Sequence, residues 1–135
     1  MRYLFITFFI ISCSYEKYES TNQPPVAGEC VDGISTYTIN GEDVQFECNG
    51  YDLLGHVSLE QMNAESGNDC WGWTDPLSGY EYALMGLDNG TGIIDISDPF
   101  NPNYLGKIPT ATLSSTWRDI KDYKDHAFIV SEAAG

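Results

Sequence analysis

The sequence predicts an all-β fold, because short runs of β-branched and aromatic residues alternate with turn residues along most of its length. Gly, Pro, Asn or Asp bounds most of these runs, as in "DNGTG" and "DPFNPN". The stretch 59–68 is long enough for a helical turn or two, and no other segment has the periodicity of an amphipathic helix. The predicted strand segments, in order, are "YDLLGHVSL", "YEYALMGL", "GIIDIS", "NYLGKIPT", "TWRDIKDY" and "HAFIVSE".

The spacing of the runs indicates a repeat. "CWGW…YEYALMGLDNG" and "TWRDIKDY…HAFIVSEAAG" each contain a Trp, an Asp-containing turn, an Ala-led apolar strand and a following acidic residue. The two Trp are 46 positions apart and the two Ala are 44 apart, which is the length of a β-propeller blade. The sequence therefore predicts the N-terminal part of a β-propeller, with one complete four-stranded blade and half of a second. The residues predicted to define the repeat are Trp71, Ala83, Asp88, Trp117, Ala127 and Glu132.

The run that precedes this unit has no partner in the predicted blade. "LLGHV" has the same form as "YLGKI", 51 positions later, and propellers close by pairing strands from the two ends of the chain. We therefore expect "LLGHV" to be an outer strand whose partner lies beyond residue 135. Because a repeat fold needs about three units to bury a continuous core, we interpret the chain as the opening of a longer protein.

Residues 1–12 predict a secretory signal peptide. Arg2 precedes the apolar run "YLFITFFII", which is shorter than the ~20 residues that a membrane-spanning helix requires. The following "IISC" resembles the lipobox of bacterial lipoproteins, and this resemblance implies that Cys13 becomes the N-terminus and carries the lipid. An ordinary signal peptide with a cysteine nearby by chance is the alternative. We expect an exported protein that its lipid holds at the outer membrane or cell surface.

Residues 13–29 predict a polar tether, because "SYEKYESTNQPPVAGE" contains a Pro-Pro pair and no apolar periodicity. The folded part is then predicted to occupy 30–135, which is room for one domain. The formal net charge of −14 opposes binding to nucleic acids and to anionic membrane surfaces, because both need basic patches on the protein.

The cysteines predict one disulfide. An exported protein lies in an oxidising compartment, so that Cys30 and Cys48, which bracket a Gly-rich and turn-rich loop, are expected to join. Cys70 lies beside Trp71 in an apolar setting and is expected to be a buried thiol. Zinc ligation is disfavoured, because the chain has no Cys-x-x-Cys pair and only two histidines.

Together the motifs resemble the choice-of-anchor B family. The motifs are "WGWTDP", "EYAL", "NGT", "DISDP", "YLG", "WRDIK" and "HAFIVSEA", and "CVDG…C…YDLLGHVSL" resembles the family's cysteine pair and first strand. The resemblance, from about Cys30 to Gly135, implies an exported protein with LVIVD-type repeats, a β-propeller fold, attachment to a surface and a Cys30–Cys48 bridge. It leaves the molecular activity open. Family members continue past the point at which this sequence ends, and Cys70 stands where an aliphatic residue is expected.

The acidic cluster near the end of the sequence invites a metal or acid–base interpretation. Asp119, Asp122 and Asp125 lie close to His126, but positions three apart in a strand face opposite sides, and no Gly allows the tight turn of a calcium loop. A hairpin that runs from "WRDIK" through the turn "DYKD" to "HAFIV" explains the same residues without a ligand. We therefore predict a hairpin here.

Two further sets of residues have a functional and a structural interpretation. Asp88 and Glu132 could face each other across a sugar, as the carboxylates of a glycosidase do, but their matching positions favour acidic residues of the repeat turns. Asn89 in "NGT" matches a glycosylation acceptor, and we interpret it as a strand-entry turn. The tryptophans could line a carbohydrate or peptide surface, but we expect all three in the core; they are Trp71, Trp73 and Trp117.

The sequence assigns no catalytic residue, no metal ligand and no cofactor. His56 and His126 lack a nucleophile in a recognisable motif such as Gly-x-Ser-x-Gly. We expect a non-catalytic binding or scaffolding module, joined to a membrane by its N-terminal lipid, that binds an extracellular or periplasmic protein or a glycan. The alternative is an exported enzyme of the hydrolase type whose active site lies in blades beyond residue 135.

Overall fold

The computed structural model describes residues 28–39 and 41–134. The predicted signal peptide, the predicted lipidation site Cys13 and residues 13–27 of the predicted tether lie outside the described residues. Within them the chain forms nine β-strands and no helix, so the predicted all-β class is confirmed. No helix that could span a membrane is found in this part of the chain.

The first sheet consists of three antiparallel strands, β1 (Cys30–Val31), β2 (Ile34–Ile39) and β3 (Glu42–Glu47), paired in that order. It occupies the segment between the two cysteines that was predicted to be a loop, and that prediction is wrong. The β1–β2 turn contains Asp32 and Gly33 with φ of 50° and 85°. Positive φ at both positions is the conformation that Asp-Gly favours in a two-residue hairpin, so the strands follow from local turn chemistry.

The predicted disulfide between Cys30 and Cys48 is present. Cys30 lies on β1 and Cys48 directly follows β3, and β2 lies between these two strands. The bridge therefore joins the outer strands of the sheet across the central one. Ser35 of β2 is buried, and its hydroxyl donates to the carbonyl oxygen of Gly28 at 2.6 Å. This hydrogen bond holds the start of the described chain against the sheet.

The segment 51–58, which falls in the predicted first strand "YDLLGHVSL", forms no strand among the described residues. The pairing of "LLGHV" with a strand outside this part of the chain stays a prediction. A β-strand needs a neighbouring strand to satisfy its backbone groups, and no described strand pairs with this segment. The segment instead packs on the connection at 96–102, where a Cβ at Gly55 would clash with Pro102 and with the carbonyl oxygen of Pro99. Turns follow at 59–63 in place of a helix.

The second sheet consists of four antiparallel strands in chain order, β4 (Gly67–Thr74), β5 (Glu81–Leu87), β6 (Gly90–Asp95) and β7 (Asn103–Pro109). Four antiparallel strands in chain order are also the content of one propeller blade. The three sheets of the described residues do not close into a ring, so the propeller stays a prediction. The first residue of β6 is Gly90. A larger residue does not fit there, because a Cβ would clash with the carbonyl oxygen of Ile108 on β7.

One face of the second sheet packs on the chain segment that precedes it. Directly opposed residues of antiparallel strands share a face, so Ala83 of β5 lies on the same side as its partner Ile94 of β6. Met85 and Leu87 follow Ala83 on this side. Met62 completes the core with Leu87 and Ile94, and the side chains of these three residues are 8% exposed or less.

Two further strands, β8 (Arg118–Tyr123) and β9 (His126–Ser131), form an antiparallel hairpin. The predicted hairpin is therefore confirmed. Lys124 and Asp125 make its turn with φ of 49° and 60°, the type I′ geometry that matches the twist of a hairpin. β8 lies against β4 and β5, on the face of the second sheet opposite to the core, and Ile120 of β8 is fully buried there.

Candidate functional site

A cleft of about 260 Å³ lies between the second sheet and the hairpin. Its wall on the sheet side comes from β4, β5 and β6, and its wall on the hairpin side comes from the hairpin turn and the adjoining ends of β8 and β9. We call it the aromatic cleft. The residues that line it are Trp73, Tyr82, Leu84, Ile93, Asp122, Asp125, His126 and Ala127.

Two aromatic rings form the floor of the aromatic cleft. Trp73 of β4 is the cross-strand partner of Tyr82 on β5, and their rings stack with centroids 5.6 Å apart and planes inclined at 26°. Leu84 and Ile93, which are also cross-strand partners, extend this apolar surface. The turn between β4 and β5 is closed by the backbone N–H of Asp75, which donates to the carbonyl oxygen of Tyr80 at 2.8 Å. The turn thereby places one aromatic ring on each strand.

The phenol of Tyr82 stays protonated into the alkaline range. Desolvation is the main cause that raises the pKa of Tyr82, and the negative charges of Asp95 and Asp75 raise it further. A protonated phenol is an apolar ring with a hydroxyl that can donate or accept a hydrogen bond. The floor is therefore uncharged.

The carboxylate of Asp122 is fixed by the second sheet. The indole Nε1 of Trp71 donates to Asp122 Oδ1 at 2.6 Å, and Lys121 Nζ lies 4.2 Å from the centre of the same indole ring. Oδ2 of Asp122 has no hydrogen-bond partner among residues 28–39 and 41–134. It can accept a hydrogen bond from a molecule in the cleft.

His126 and Asp125 complete the rim of the cleft at the hairpin turn. His126 Nδ1 lies 2.6 Å from the carbonyl oxygen of Lys124. A carbonyl only accepts hydrogen bonds, so Nδ1 carries the proton and Nε2 of the neutral ring is an acceptor. The aromatic cleft therefore combines an apolar, stacked floor with a rim of two carboxylates and one imidazole.

A second carboxylate, that of Asp69 on β4, fastens the hairpin to the sheet. Asp69 Oδ2 accepts a hydrogen bond from the backbone N–H of Ile120 at 2.7 Å and pairs with Lys121 Nζ at 3.4 Å. The hydrogen bond from Ile120 is the main cause that lowers the pKa of Asp69; desolvation opposes it, and the charge of Lys121 adds to it. Asp69 and Trp71 lie on β4 and together position β8 over the sheet.

The tryptophans do not form the core, and that expectation is wrong. Trp71 and Trp73 are half-buried on β4, and Trp117 is 64% exposed just before β8. The reason is that β4 is an edge strand of the second sheet. The two-stranded hairpin covers only part of the β4 side chains that face it. Edge position therefore leaves Trp71 and Trp73 partly accessible, and Trp73 becomes a lining residue of the aromatic cleft.

The two alanines of the predicted repeat hold corresponding places. Each lies in the second strand of an antiparallel pair, Ala83 in β5 and Ala127 in β9. Ala83 packs on the segment that precedes the second sheet, and Ala127 faces the second sheet, which precedes the hairpin. Each alanine therefore faces the part of the chain that comes before its own strands. The tryptophans are placed differently, since Trp71 lies within β4 and Trp117 precedes β8. The repeat itself stays a prediction.

Asp88 joins three segments of the chain at the β5–β6 turn. Its Oδ1 accepts from the backbone N–H of Glu65 and Ser66 at 3.0 and 3.3 Å, and its Oδ2 accepts from the hydroxyl of Ser114 at 3.1 Å. Desolvation would raise the pKa of Asp88, but these hydrogen bonds outweigh it and lower the pKa. Glu132, which follows β9, takes no part in these hydrogen bonds. Asp88 therefore has a structural role.

Asn89 is the second residue of the β5–β6 turn, as the strand-entry interpretation requires. Its Nδ2 donates to the carbonyl oxygen of Asn63 at 2.8 Å, and its Oδ1 accepts from Lys107 Nζ at 2.6 Å. Both ends of the side-chain amide are thus used in contacts between the turn, β7 and the segment before β4.

Asp119 and Asp122 lie on opposite faces of β8, because their positions differ by three. Only Asp122 of these two lines the aromatic cleft. In the part of the chain that the structure describes, no three His, Cys, Asp or Glu side chains converge in a way that could hold a metal ion.

Cys70 is exposed, so the prediction of a buried thiol is wrong. It is the cross-strand partner of Met85, but β4 is an edge strand and leaves the thiol accessible. Desolvation by its neighbours is the main cause that raises the pKa of Cys70, and the charge of Asp69 adds to it. The thiol is therefore kept in its neutral, less reactive form.

Sequence reasoning did not identify Tyr82, and it singled out Asp122, Asp125 and His126 without placing them opposite the aromatic pair. A signal for Tyr82 is present in "WTDPLSGYEY", because the Pro-Leu-Ser-Gly turn places Trp73 and Tyr82 on facing strands. The placement of the other three depends on the packing of Ile120 against the sheet, which no local pattern reveals.

Comparison of the chain with protein families, with characterised proteins and with solved structures finds no match in any of the three. The interpretation of the site therefore depends on its geometry. That geometry is a cleft with a stacked aromatic floor and a fixed carboxylate at its rim.

Proposed function

We propose that the chain belongs to an exported, lipid-anchored β-propeller protein of the choice-of-anchor B type, and that it binds a glycan in the aromatic cleft without transforming it. The observation that carries the proposal is the stacked Trp73–Tyr82 pair beside the fixed carboxylate of Asp122. This is the single arrangement among the described residues in which an apolar platform and an oriented hydrogen-bond acceptor share one cleft.

A sugar ring fits both parts of this arrangement. One face of a pyranose carries C–H groups that pack on an aromatic ring, and its hydroxyls donate strong hydrogen bonds to a carboxylate. Asp122 offers Oδ2 for such a bond, while Trp71 holds Oδ1. Small-molecule sites are largely apolar with a few well-placed polar groups, and the aromatic cleft has this composition.

Two features of the fold support the proposed propeller. The second sheet has four antiparallel strands in chain order, and the next hairpin stacks on its face with β8 against β4. In a propeller the first strands of neighbouring blades approach each other in this way around the central axis. The corresponding places of Ala83 and Ala127 support two successive units of one repeat.

The disulfide supports the proposed export. Cys30 and Cys48 are bonded, and disulfides persist in oxidising compartments outside the cytoplasm. The proposed anchor at Cys13 has its own test, which is incorporation of a labelled fatty acid in a bacterial host. The wild-type chain should become labelled and Cys13→Ala should not, and equal labelling of the two would contradict the anchor.

The glycan proposal is tested by titrating neutral oligosaccharides of glucose, xylose, mannose and N-acetylglucosamine into the mature protein in a calorimeter. At least one should bind, and Trp73→Ala should weaken its binding by about tenfold or more, because the stacking surface is lost. Trp117→Ala is the matched control, since Trp117 is exposed and lies outside the cleft. Equal losses in both variants would contradict the proposal, and release of shorter sugars would favour the hydrolase alternative.

A further inference from the structure

A second pocket, of about 230 Å³, lies at the other end of the interface between the hairpin and the second sheet. We call it the arginine pocket. It lies toward the start of β8 and the end of β9, whereas the aromatic cleft lies at the hairpin turn, and Ile120 is buried between the two. The lining residues that matter here are Thr91, Ile108, Thr110, Arg118, Ile129 and Ser131.

Arg118 is buried without an anionic partner. Arg118 is 5% exposed. Its Nε donates to the carbonyl oxygen of Leu87 at 2.9 Å, and its Nη2 donates to Thr110 Oγ1 at 3.0 Å. Both acceptors are neutral. No carboxylate of residues 28–39 and 41–134 lies within 4.0 Å of the guanidinium. A guanidinium is charged at every physiological pH, and a buried charge is normally paired with an opposite one.

The remaining donors of Arg118 face the open volume of the pocket. Nη1 makes no hydrogen bond within the described residues. No buried side-chain nitrogen or oxygen in this part of the chain lacks a partner, so Nη1 must reach space that is accessible to solvent. Since the residue as a whole is nearly inaccessible and lines the pocket, that space is the pocket.

The same reasoning applies to Thr91. The residue is 2% exposed, its hydroxyl makes no hydrogen bond within the described residues, and no buried polar atom there lacks a partner. Its Oγ1 is therefore the part that reaches the pocket. Ser131 Oγ accepts from the backbone N–H of Ala133 at 3.3 Å and from the hydroxyl of Thr112 at 3.5 Å, so its own proton is free to be donated. A guanidinium and two hydroxyls thus converge on one small space.

We propose that the arginine pocket binds the carboxylate group of a small organic acid, of which an acidic sugar is one example. The positive charge and the two hydroxyl donors match the two oxygens of a carboxylate, and the side chains of Ile108 and Ile129 provide an apolar wall for the carbon skeleton. A single negative charge suits the site better than a doubly charged phosphate, because the chain has a net charge of −14 and repels further negative charge.

This site is independent of the proposed glycan site. The two share no lining residue, and Trp73→Ala should leave carboxylate binding unchanged. If the wild-type protein binds the carboxylates but none of the oligosaccharides, only the proposed function is contradicted. If it binds an oligosaccharide but neither carboxylate, only the arginine pocket is contradicted.

The experiment is calorimetric titration of the mature protein with sodium glucuronate and sodium acetate at constant ionic strength, with glucose as the neutral twin of glucuronate. Both carboxylates should bind and glucose should not. Thr91→Val should weaken binding about tenfold, the loss expected for one hydrogen bond to a charged group. Arg118→Lys should weaken it by at least as much, because a lysine cannot bind a carboxylate with two parallel hydrogen bonds.

Thr91→Val keeps the test decisive even where Arg118→Lys fails to fold. The Thr91 hydroxyl has no partner among the described residues, and valine has nearly the same shape, so circular dichroism and the melting temperature should stay close to wild type. Absence of binding by both carboxylates up to about 20 mM, the range of weak specific sites, would overturn the proposal. Equal binding of glucose, or wild-type affinity in a folded Thr91→Val variant, would also overturn it.

Discussion

Trp71 and Asp122 lie 51 positions apart in the chain, and the hydrogen bond between their side chains, 2.6 Å long, joins the edge strand of the second sheet to the hairpin. The same carboxylate lines the aromatic cleft. One bond therefore both positions the hairpin and orients the acceptor proposed to meet the ligand, so that folding and recognition depend on the same pair of residues.

Asp122→Asn separates these two roles. The amide keeps an oxygen that can accept from Trp71, so the melting temperature should change by less than about 3 °C. Loss of the charge should weaken binding of the best oligosaccharide about tenfold in calorimetry, because hydrogen bonds to a charged acceptor are stronger than neutral ones. Asp119→Asn, on the opposite face of β8, is the control and should bind like wild type. Equal effects of the two substitutions would contradict a specific role for Asp122.

Acid should loosen the contact between the hairpin and the second sheet through Asp69. Hydrogen bonding by Ile120, with a further contribution from Lys121, lowers the folded-state pKa of Asp69 below its ordinary value of 3.8. A group with a lowered folded pKa contributes stability that is complete above its unfolded pKa and is lost as the pH falls through its folded pKa. The lowered pKa of Asp88 places a second contribution in the same range. Melting temperatures should therefore fall steeply below about pH 4.

The variant Asp69→Asn tests the origin of this acid sensitivity. It should melt at a lower temperature than wild type at neutral pH, and the difference between the two should shrink as the pH is lowered through the titration of Asp69. Asp119→Asn is the control, because its carboxylate makes no hydrogen bond with the described residues. A constant difference between Asp69→Asn and wild type at every pH would show that Asp69 acts without its charge.

The disulfide should account for much of the stability of the first sheet. Cys30 and Cys48 are separated by 18 positions, and closing a loop of this length in the unfolded chain contributes on the order of 3 kcal/mol. The double variant Cys30→Ser/Cys48→Ser should lose about this much in urea unfolding. Cys70→Ser should change the free energy of unfolding by less than about 0.5 kcal/mol, because the residue is exposed. A large effect of Cys70→Ser would show that its thiol has a role that the structure does not explain.

Local chemistry made part of the fold predictable. The β8–β9 hairpin follows from the turn at Lys124 and Asp125, and the second sheet follows from turn residues that separate β-rich runs. The first sheet was missed although its Asp32–Gly33 turn is an equally local signal. That error came from interpreting a disulfide-bracketed segment as a loop.

Non-local contacts made the rest unpredictable. "LLGHV" has the composition of a strand, yet it forms none, because a strand depends on a neighbour that is absent from the described residues. Cys70 and the tryptophans of β4 have apolar neighbours in sequence, but the edge position of β4 leaves them accessible. The aromatic cleft and the arginine pocket exist only where the hairpin meets the second sheet, and their residues are far apart in sequence.

Ile120 should be the residue on which both sites depend. Its side chain is fully buried between the hairpin and the second sheet, so Ile120→Ala should cost about 2–5 kcal/mol of the free energy of unfolding, the range for deleting a buried aliphatic side chain. Val130 of β9 is 61% exposed on the outer face of the same hairpin, and Val130→Ala should cost less than about 1 kcal/mol. Urea unfolding measured by tryptophan fluorescence compares the two variants.

Because Ile120 separates the aromatic cleft from the arginine pocket, a folded Ile120→Ala variant should bind both the oligosaccharide and glucuronate more weakly, whereas Val130→Ala should bind both like wild type. Equal costs of the two substitutions would contradict this assignment and would indicate that the outer face of the hairpin is covered as tightly as its inner face.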